Sequence, residues 1–133
     1  MNILRLFLCF SLIGLCGSLA AQQQPQPRLS LSERSIDRGS VPLSDTVQTF
    51  VFHYKNTGDS PLIVSQMAPS CTCVVPEFSS EPLAPGDSTT FTVRFTPPHA
   101  GRFSQLITIF SNGVQSIHRV YIRGNVTEVE NKE

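Results

Sequence analysis

Tryptophan is absent from this 133-residue chain, and its ten basic residues balance ten acidic ones to a formal net charge of zero. With no surplus of positive charge to gather on one face, the chain lacks the electrostatic footprint of a protein that binds nucleic acid or an anionic membrane. Beyond its first residues it has no apolar run long enough to cross a bilayer. GxSxG nucleophile motifs and glycine-rich phosphate loops are missing, and no CxxC or HxxxH completes a zinc site. The acidic residues are scattered. Asp59, Glu77, Glu81 and Asp87 fall in or beside expected turns, where a solvated charge is the default and a catalytic carboxylate pair the exception. These absences argue against an enzyme and against a bound cofactor.

What is present at the start is an export signal over residues 1–21. Arg5 supplies the positive end, residues 6–15 are almost continuously apolar but too short for a permanent span, and Ser18, Leu19 and Ala20 offer the small residues that a signal peptidase reads. Cys9 and Cys16 would leave with the signal. Leu15 stands where lipoprotein processing wants a small residue, so a lipid anchor on Cys16 is not expected. The destination lies outside the cytoplasm. Two of the four cysteines, Cys71 and Cys73, remain in a compartment that permits disulfides.

The mature chain is long enough for one domain and too short for two. Gln- and Pro-rich residues 22–28 and polar residues 127–133 read as flexible tails around a domain over residues 29–126. Within it, apolar residues recur with period two. Phe50, Phe52 and Tyr54 alternate with Val51, His53 and Lys55, and Phe91, Val93 and Phe95 alternate with threonines and Arg94. Turn formers at residues 56–61 and at Pro85–Gly86 separate the runs. Asn112–Gly113 is a strong hairpin signal because both residues accept positive φ. Val120 and Ile122 face inward on the returning strand. About seven short strands, counting one near residues 28–32 and one near Val41, describe an all-β, immunoglobulin-like antiparallel β-sandwich.

Several blocks then follow one another in a specific order: IDRGSV, FVFHYKNTGDSPLIVSQMAPSCTCVVPEF, PLAPGDSTTFTVRFTP, GRFSQLITIFSNG and IRGNV, together spanning residues 36–126. In this the chain resembles an exported bacterial family of domains of unknown function, number fifteen seventy-three in its series. The resemblance implies an immunoglobulin-like sandwich similar to abnormal-spindle and hydin domains, major sperm protein and periplasmic pilus chaperones, and it implies no activity. Thr72 stands where the family usually has glycine between its two cysteines, and Arg38 where it often has glycine before Gly39.

Chemistry, if there is any, rests on PSCTCVVPEF. In an extended strand Cys71 and Cys73 would lie about 6.5 to 7 Å apart at Cα, at or beyond the reach of a bridge, so a local disulfide requires a bend at Thr72. Three readings stay open: a structural pair, a thiol-exchange site, or paired thiolates for a soft ion such as Cu(I). His53, on the polar side of its strand, and His99, in a turn, read as solvated. His118, in phase with Val120 and Ile122, reads as a satisfied edge residue. DTV and DST place candidate O-glycosylation at Thr46 and Ser88, and Asn125 opens an N-glycosylation sequon. A pilus-type chaperone would pair Arg with Lys in a cleft, and Lys55 is the only lysine of the folded region. The reading is therefore an exported, non-enzymatic module that binds an unidentified protein, by strand addition at an open edge. The alternative is a periplasmic thiol-redox or copper-binding protein using Cys71 and Cys73.

Overall fold

The computed structural model describes residues 21–43 and 47–128. Residues 1–20 of the expected signal, Cys16 among them, residues 44–46 with Thr46, and residues 129–133 lie outside the described residues.

Eight strands follow one another: β1 (Leu29–Leu31), β2 (Ser35–Pro42), β3 (Gln48–Asn56), β4 (Val64–Pro69), β5 (Val74–Glu77), β6 (Ser88–Phe95), β7 (Gly101–Ser111) and β8 (Ile117–Thr127). They form two four-stranded sheets, the first ordered β1-β3-β6-β5 and the second β2-β8-β7-β4. Period two explains the burial. On β3 and β6 the inward residues meet in register, Phe50 opposite Val93 and Phe52 opposite Phe91. The second sheet contributes Ile107, Ile109, Val120 and Ile122, all fully buried. Phe52 and Phe91 stack with ring centroids 5.0 Å apart, and Tyr54 tilts against Phe91 at 6.0 Å. Each such aromatic contributes roughly 1.5–3 kcal/mol by leaving water, so phenylalanine does in this core what tryptophan does in many sandwiches.

The strand beyond the seven expected is β5, in the segment after the cysteines, and the first two strands lie in different sheets. After β1 pairs with β3, the chain turns through Ser32 and crosses over, and β2 pairs with β8 in parallel, where wholly antiparallel pairing was expected. A register shift between Asp37 and Ser40 interrupts β2, with Gly39 at φ 70°. At that bulge the Asp37 carboxylate accepts from the Gly39 N–H at 2.8 Å, and Arg38 lies 4.4 Å from the Phe50 ring centroid. A second crossing runs from β4 in the second sheet to β5 in the first, through residues 70–73.

Two turns repay comparison with the sequence. Pro85–Gly86 forms the expected tight turn, with the Asp87 N–H donating to the Ala84 carbonyl at 3.1 Å and Gly86 at φ 83°. The β7–β8 hairpin also forms, but Asn112 and Gly113 do not take positive φ. Instead the loop runs from Asn112 to Ser116, and the Asn112 side chain reaches outward, its Oδ1 accepting from the Ile63 N–H at 2.7 Å and its Nδ2 donating to the Pro61 carbonyl at 3.2 Å. A side chain committed to a neighbouring segment favours the longer loop over a two-residue turn.

Backbone hydrogen bonds continue on both sides of residues 29–126. Gln26, Pro27 and Arg28, read as part of a flexible tail, are hydrogen-bonded: Asp59 N–H donates to the Gln26 carbonyl at 3.1 Å, Val114 N–H to Pro27 at 2.9 Å and Thr57 N–H to Arg28 at 2.9 Å. Gly58 permits this approach, since a Cβ there would collide with the backbone of Gln26 and Arg28. At the other end Thr127 is the last residue of β8, and its carbonyl accepts from the Leu43 N–H at 2.8 Å.

Candidate functional site

Residues 70–73 are where the chain leaves one sheet for the other, and they bring Cys71 and Cys73 together. The two cysteines are joined in a disulfide with Cα atoms 5.2 Å apart. The bend at Thr72 that shortens this distance from its extended value is made without positive φ, so threonine fits where glycine is common in the family the chain resembles. The corner is framed by backbone bonds. Val74 N–H donates to the Cys71 carbonyl at 3.1 Å, Thr96 N–H to the Cys73 carbonyl at 3.1 Å, and Ser70 N–H to Leu106 at 2.8 Å. The Cys73 N–H also points at the Cys71 Sγ, 3.1 Å away. Both cysteines are half-buried against the core, while Thr72 is exposed. Cys73 lines a shallow groove with Val47, Val75, Pro97 and Pro98. With the sulfurs bonded to each other, the pair presents no thiolates to a soft metal ion.

The outer face of the second sheet is the other unusual surface. Inward residues of β7 and β8 are Ile107, Ile109, Val120 and Ile122, so their neighbours in sequence face out. On that outer side Leu106 sits opposite Tyr121, Thr108 opposite Arg119, and Phe110 opposite Ile117. Leu106, Phe110 and Tyr121 are half-buried and Ile117 is 39% exposed. Arg102, Arg119 and Arg123 stand on the same face, Arg123 lying 5.1 Å from the Tyr121 ring centroid. Among the described residues the ion pairs are Arg94–Glu77 and His53–Glu33, so none of these three arginines has a carboxylate partner there.

Protein of unknown function (DUF1573) is the description of the family whose sequence profile matches residues 29–126. The chain belongs to that family.

Members of the family carry no assigned activity in that description, and no curated protein matches the chain. Among solved structures, a protein of unknown function from Porphyromonas gingivalis W83 superposes with TM-score 0.67 at 17% identity, over 81% of this chain and 51% of its own. The chain thus spans about half the length of that relative. The seventh ASH / PapD-like domain of human CEP192 gives TM-score 0.61 at 13% identity over 79% of this chain and 89% of its own. The YadV chaperone gives 0.53 at 14% identity over 79% and 54%. At such identities the likeness is one of fold, an immunoglobulin-like sandwich of the PapD-like kind.

The remaining residues singled out in the sequence are dispersed by this family fold. His53 lies on the outer side of β3, its side chain 60% exposed and its Nδ1 3.1 Å from Glu33. His99 lies in the β6–β7 turn with Nδ1 3.0 Å from the Ala100 carbonyl. Met67, the one other soft side chain of the domain besides the cysteines and histidines, is buried in the core. Among the described residues no three His, Cys, Asp or Glu side chains gather as a metal site would require. Ser88 is exposed at the first position of β6. His118 departs from its reading as a satisfied edge residue: β8 is an inner strand, the residue is 5% exposed, and neither ring nitrogen has a hydrogen-bond partner. Burial lowers its pKa and nearby Arg34 lowers it further, while the backbone of Gln115 opposes the shift without meeting bonding geometry.

Asn56 was legible only as a turn former, and it is the fully buried hub of its loop. Its Nδ2 donates to the Ser60 and Leu83 carbonyls at 2.8 and 2.9 Å, and its Oδ1 accepts from Gly58 and Arg28 N–H at 3.0 and 3.3 Å. The apolar outer face of β7 also escaped the sequence reading, although FSQLITIF carries its signal: Leu106 and Phe110 break the polar phase of a half-solvated strand.

Proposed function

We propose that this chain is an exported immunoglobulin-like module that acts by binding another protein of the envelope, and that it binds, with no catalysis at that surface, through the outer face of its second sheet. The observation that carries the proposal is the make-up of that face. A half-solvated antiparallel strand has no folding reason to turn Leu106, Phe110 and Tyr121 outward, whereas aromatic residues and arginine are the types enriched where proteins meet. Three arginines without carboxylate partners among the described residues suit a partner that supplies acidic groups. Export is supported by the apolar run at residues 6–15 and the small residues that follow it. O-glycosylation at Ser88, if the DST pattern is used, would fall on the other sheet and leave the binding face clear.

Strand addition suits this fold less well than face binding. The free edges are β1, β2, β4 and β5. Strand β1 has three residues, and β2 is broken by its bulge and closed by Pro42. Strand β4 has a register shift after Val64 and ends in Pro69. In β5 the Val74 N–H is already used by Cys71 and Pro76 has none. Such interruptions are how native sheets blunt their edges.

The test is photo-cross-linking in intact envelopes, with the reactive amino acid placed at Phe110 or, as a control, at Thr92 on the outer side of β6. Specific adducts at Phe110 and none at Thr92 are expected, and Arg119→Glu with Arg123→Glu should abolish them. Equal labelling from both positions would refute the assignment of the face.

A further inference from the structure

We propose that the Cys71–Cys73 bridge is exchangeable and oxidises dithiols carried on apolar polypeptide segments, with Cys73 as the attacked sulfur and Cys71 as the leaving thiolate. This goes beyond protein binding at the second sheet and concerns a different part of the molecule.

The two sulfurs are not equivalent. Cys73 lines the groove with Val47, Val75, Pro97 and Pro98, while Thr72, Thr96 and Arg94 complete it, and Cys71 is not part of it. The walls of that groove are open, Val47 being 45% and Val75 52% exposed, which suits an apolar peptide flanking the attacking thiol. The Cys73 N–H, 3.1 Å from the Cys71 Sγ, is placed to donate to a thiolate on Cys71 as the bond breaks. A hydrogen bond to the charged form lowers a thiol's pKa, and the sulfur of lower pKa leaves faster.

The corner also keeps its frame without the bridge. The bonds from Val74 to Cys71, from Thr96 to Cys73 and from Ser70 to Leu106 run between backbone atoms. A bond across one intervening residue removes little entropy from the unfolded chain, so opening it leaves the sandwich folded.

The step balances as follows in electrons and bonds. A substrate thiolate attacks the Cys73 Sγ, a substrate–Cys73 disulfide forms, the Cys71–Cys73 bond breaks and its electron pair departs on Cys71. A second thiolate of the same substrate then attacks the substrate sulfur of the mixed disulfide, closing a substrate disulfide and releasing Cys73 as a thiolate. One dithiol is oxidised by two electrons and one bridge is reduced, and a second disulfide compound must re-form it.

To test this, the oxidised protein is mixed at pH 7.5 with either of two synthetic peptides carrying a single cysteine, so that the reaction stops at the mixed disulfide, one with valine and leucine flanks and one with serine and glycine flanks, then quenched, alkylated and mapped by mass spectrometry. The expected result is a mixed disulfide on Cys73 with alkylated Cys71, formed at least ten-fold faster by the apolar peptide, and loss of that preference in Val75→Ser, whose bridge is intact. Attachment to Cys71, equal rates for the two peptides, or a bridge that opens only in denaturant would each overturn the proposal.

Discussion

His118 occupies an inward position on β8 opposite Ile109, 5% exposed and without a hydrogen-bond partner on either ring nitrogen. A buried imidazole in that state is favoured neutral, and its pKa in the folded protein lies below the ordinary histidine value. Between the lowered folded value and the unfolded value near 6.5, the unfolded chain binds more protons than the folded one. Stability from this group is therefore fully present above about pH 6.5 and is lost as pH falls from there through the folded pKa. His118→Leu removes both the proton site and the unpaired nitrogens. Urea unfolding of this variant is expected to show a gain of about 1 kcal/mol at pH 7.5, since replacing an unsatisfied buried polar group by an apolar one of similar size relieves its desolvation. The gain should widen at pH 5, and equal pH slopes for the two proteins would rule the account out. Asn56 makes the opposite case. Its four side-chain hydrogen bonds knit the loop to the N-terminal segment, and Asn56→Ala should destabilise by on the order of 3 kcal/mol because the groups it leaves are buried.

At the scale of elements, the β4–β5 corner tests how much a two-apart disulfide does for stability. Loop closure over three residues accounts for ~1.5 kcal/mol at most in the chain-entropy account. The double variant Cys71→Ser, Cys73→Ser is therefore expected to unfold with its urea midpoint only slightly lowered, and a drop of 4 kcal/mol or more, about the effect of closing a very long loop, would mean that the bridge rather than the backbone bonds holds the corner. The corner also shows where sequence reasoning stops. Phe50, Phe52, Tyr54, Phe91, Val93 and Phe95 announced their strands because period two and burial are local properties of a pleated chain. Pro85–Gly86 announced its turn because proline fixes φ and glycine accepts positive φ. Nothing local says that β2 pairs in parallel with β8, since residues 35–42 find a partner nearly ninety positions away, as Ile36 does with Ile122. Asn112 misled for a related reason: its side chain is claimed by Ile63 and Pro61 from another strand connection. The bend at Thr72 was legible as a requirement for bridging, while the groove beside Cys73 was not, because Val47, Val75 and Pro97 meet there from three separate segments.

For the molecule as a whole, the two outer faces differ in a way that neutral net charge conceals. The first sheet shows threonines and serine from β6 beside Val51, His53 and Lys55 from β3. The second shows Leu106, Phe110 and Tyr121 among Arg102, Arg119 and Arg123, with Asp37 at the margin opposite Arg123 in register. A partner seated there would bury the apolar centre and pair the arginines at the rim, so its binding should separate into a part that salt screens and a part that it does not. Rim pairs contribute about 0.2–1 kcal/mol each, and raising ionic strength from 0.1 to 1 M shortens the screening length from about 10 Å to about 3 Å. Three such pairs then amount to roughly 2 kcal/mol, or about thirty-fold in affinity. Cross-linking yield from Phe110, titrated against protein concentration, is expected to shift by that order between the two salt concentrations in the native sequence and to stay nearly constant in Arg102→Gln, Arg119→Gln, Arg123→Gln. Leu106→Ser with Phe110→Ser should act the other way, weakening the association at both salt concentrations by a similar factor. A salt response unchanged by removing the arginines would place the charge contribution elsewhere on the sandwich, and the first sheet, with Lys55 and Arg94, would be the face to examine instead.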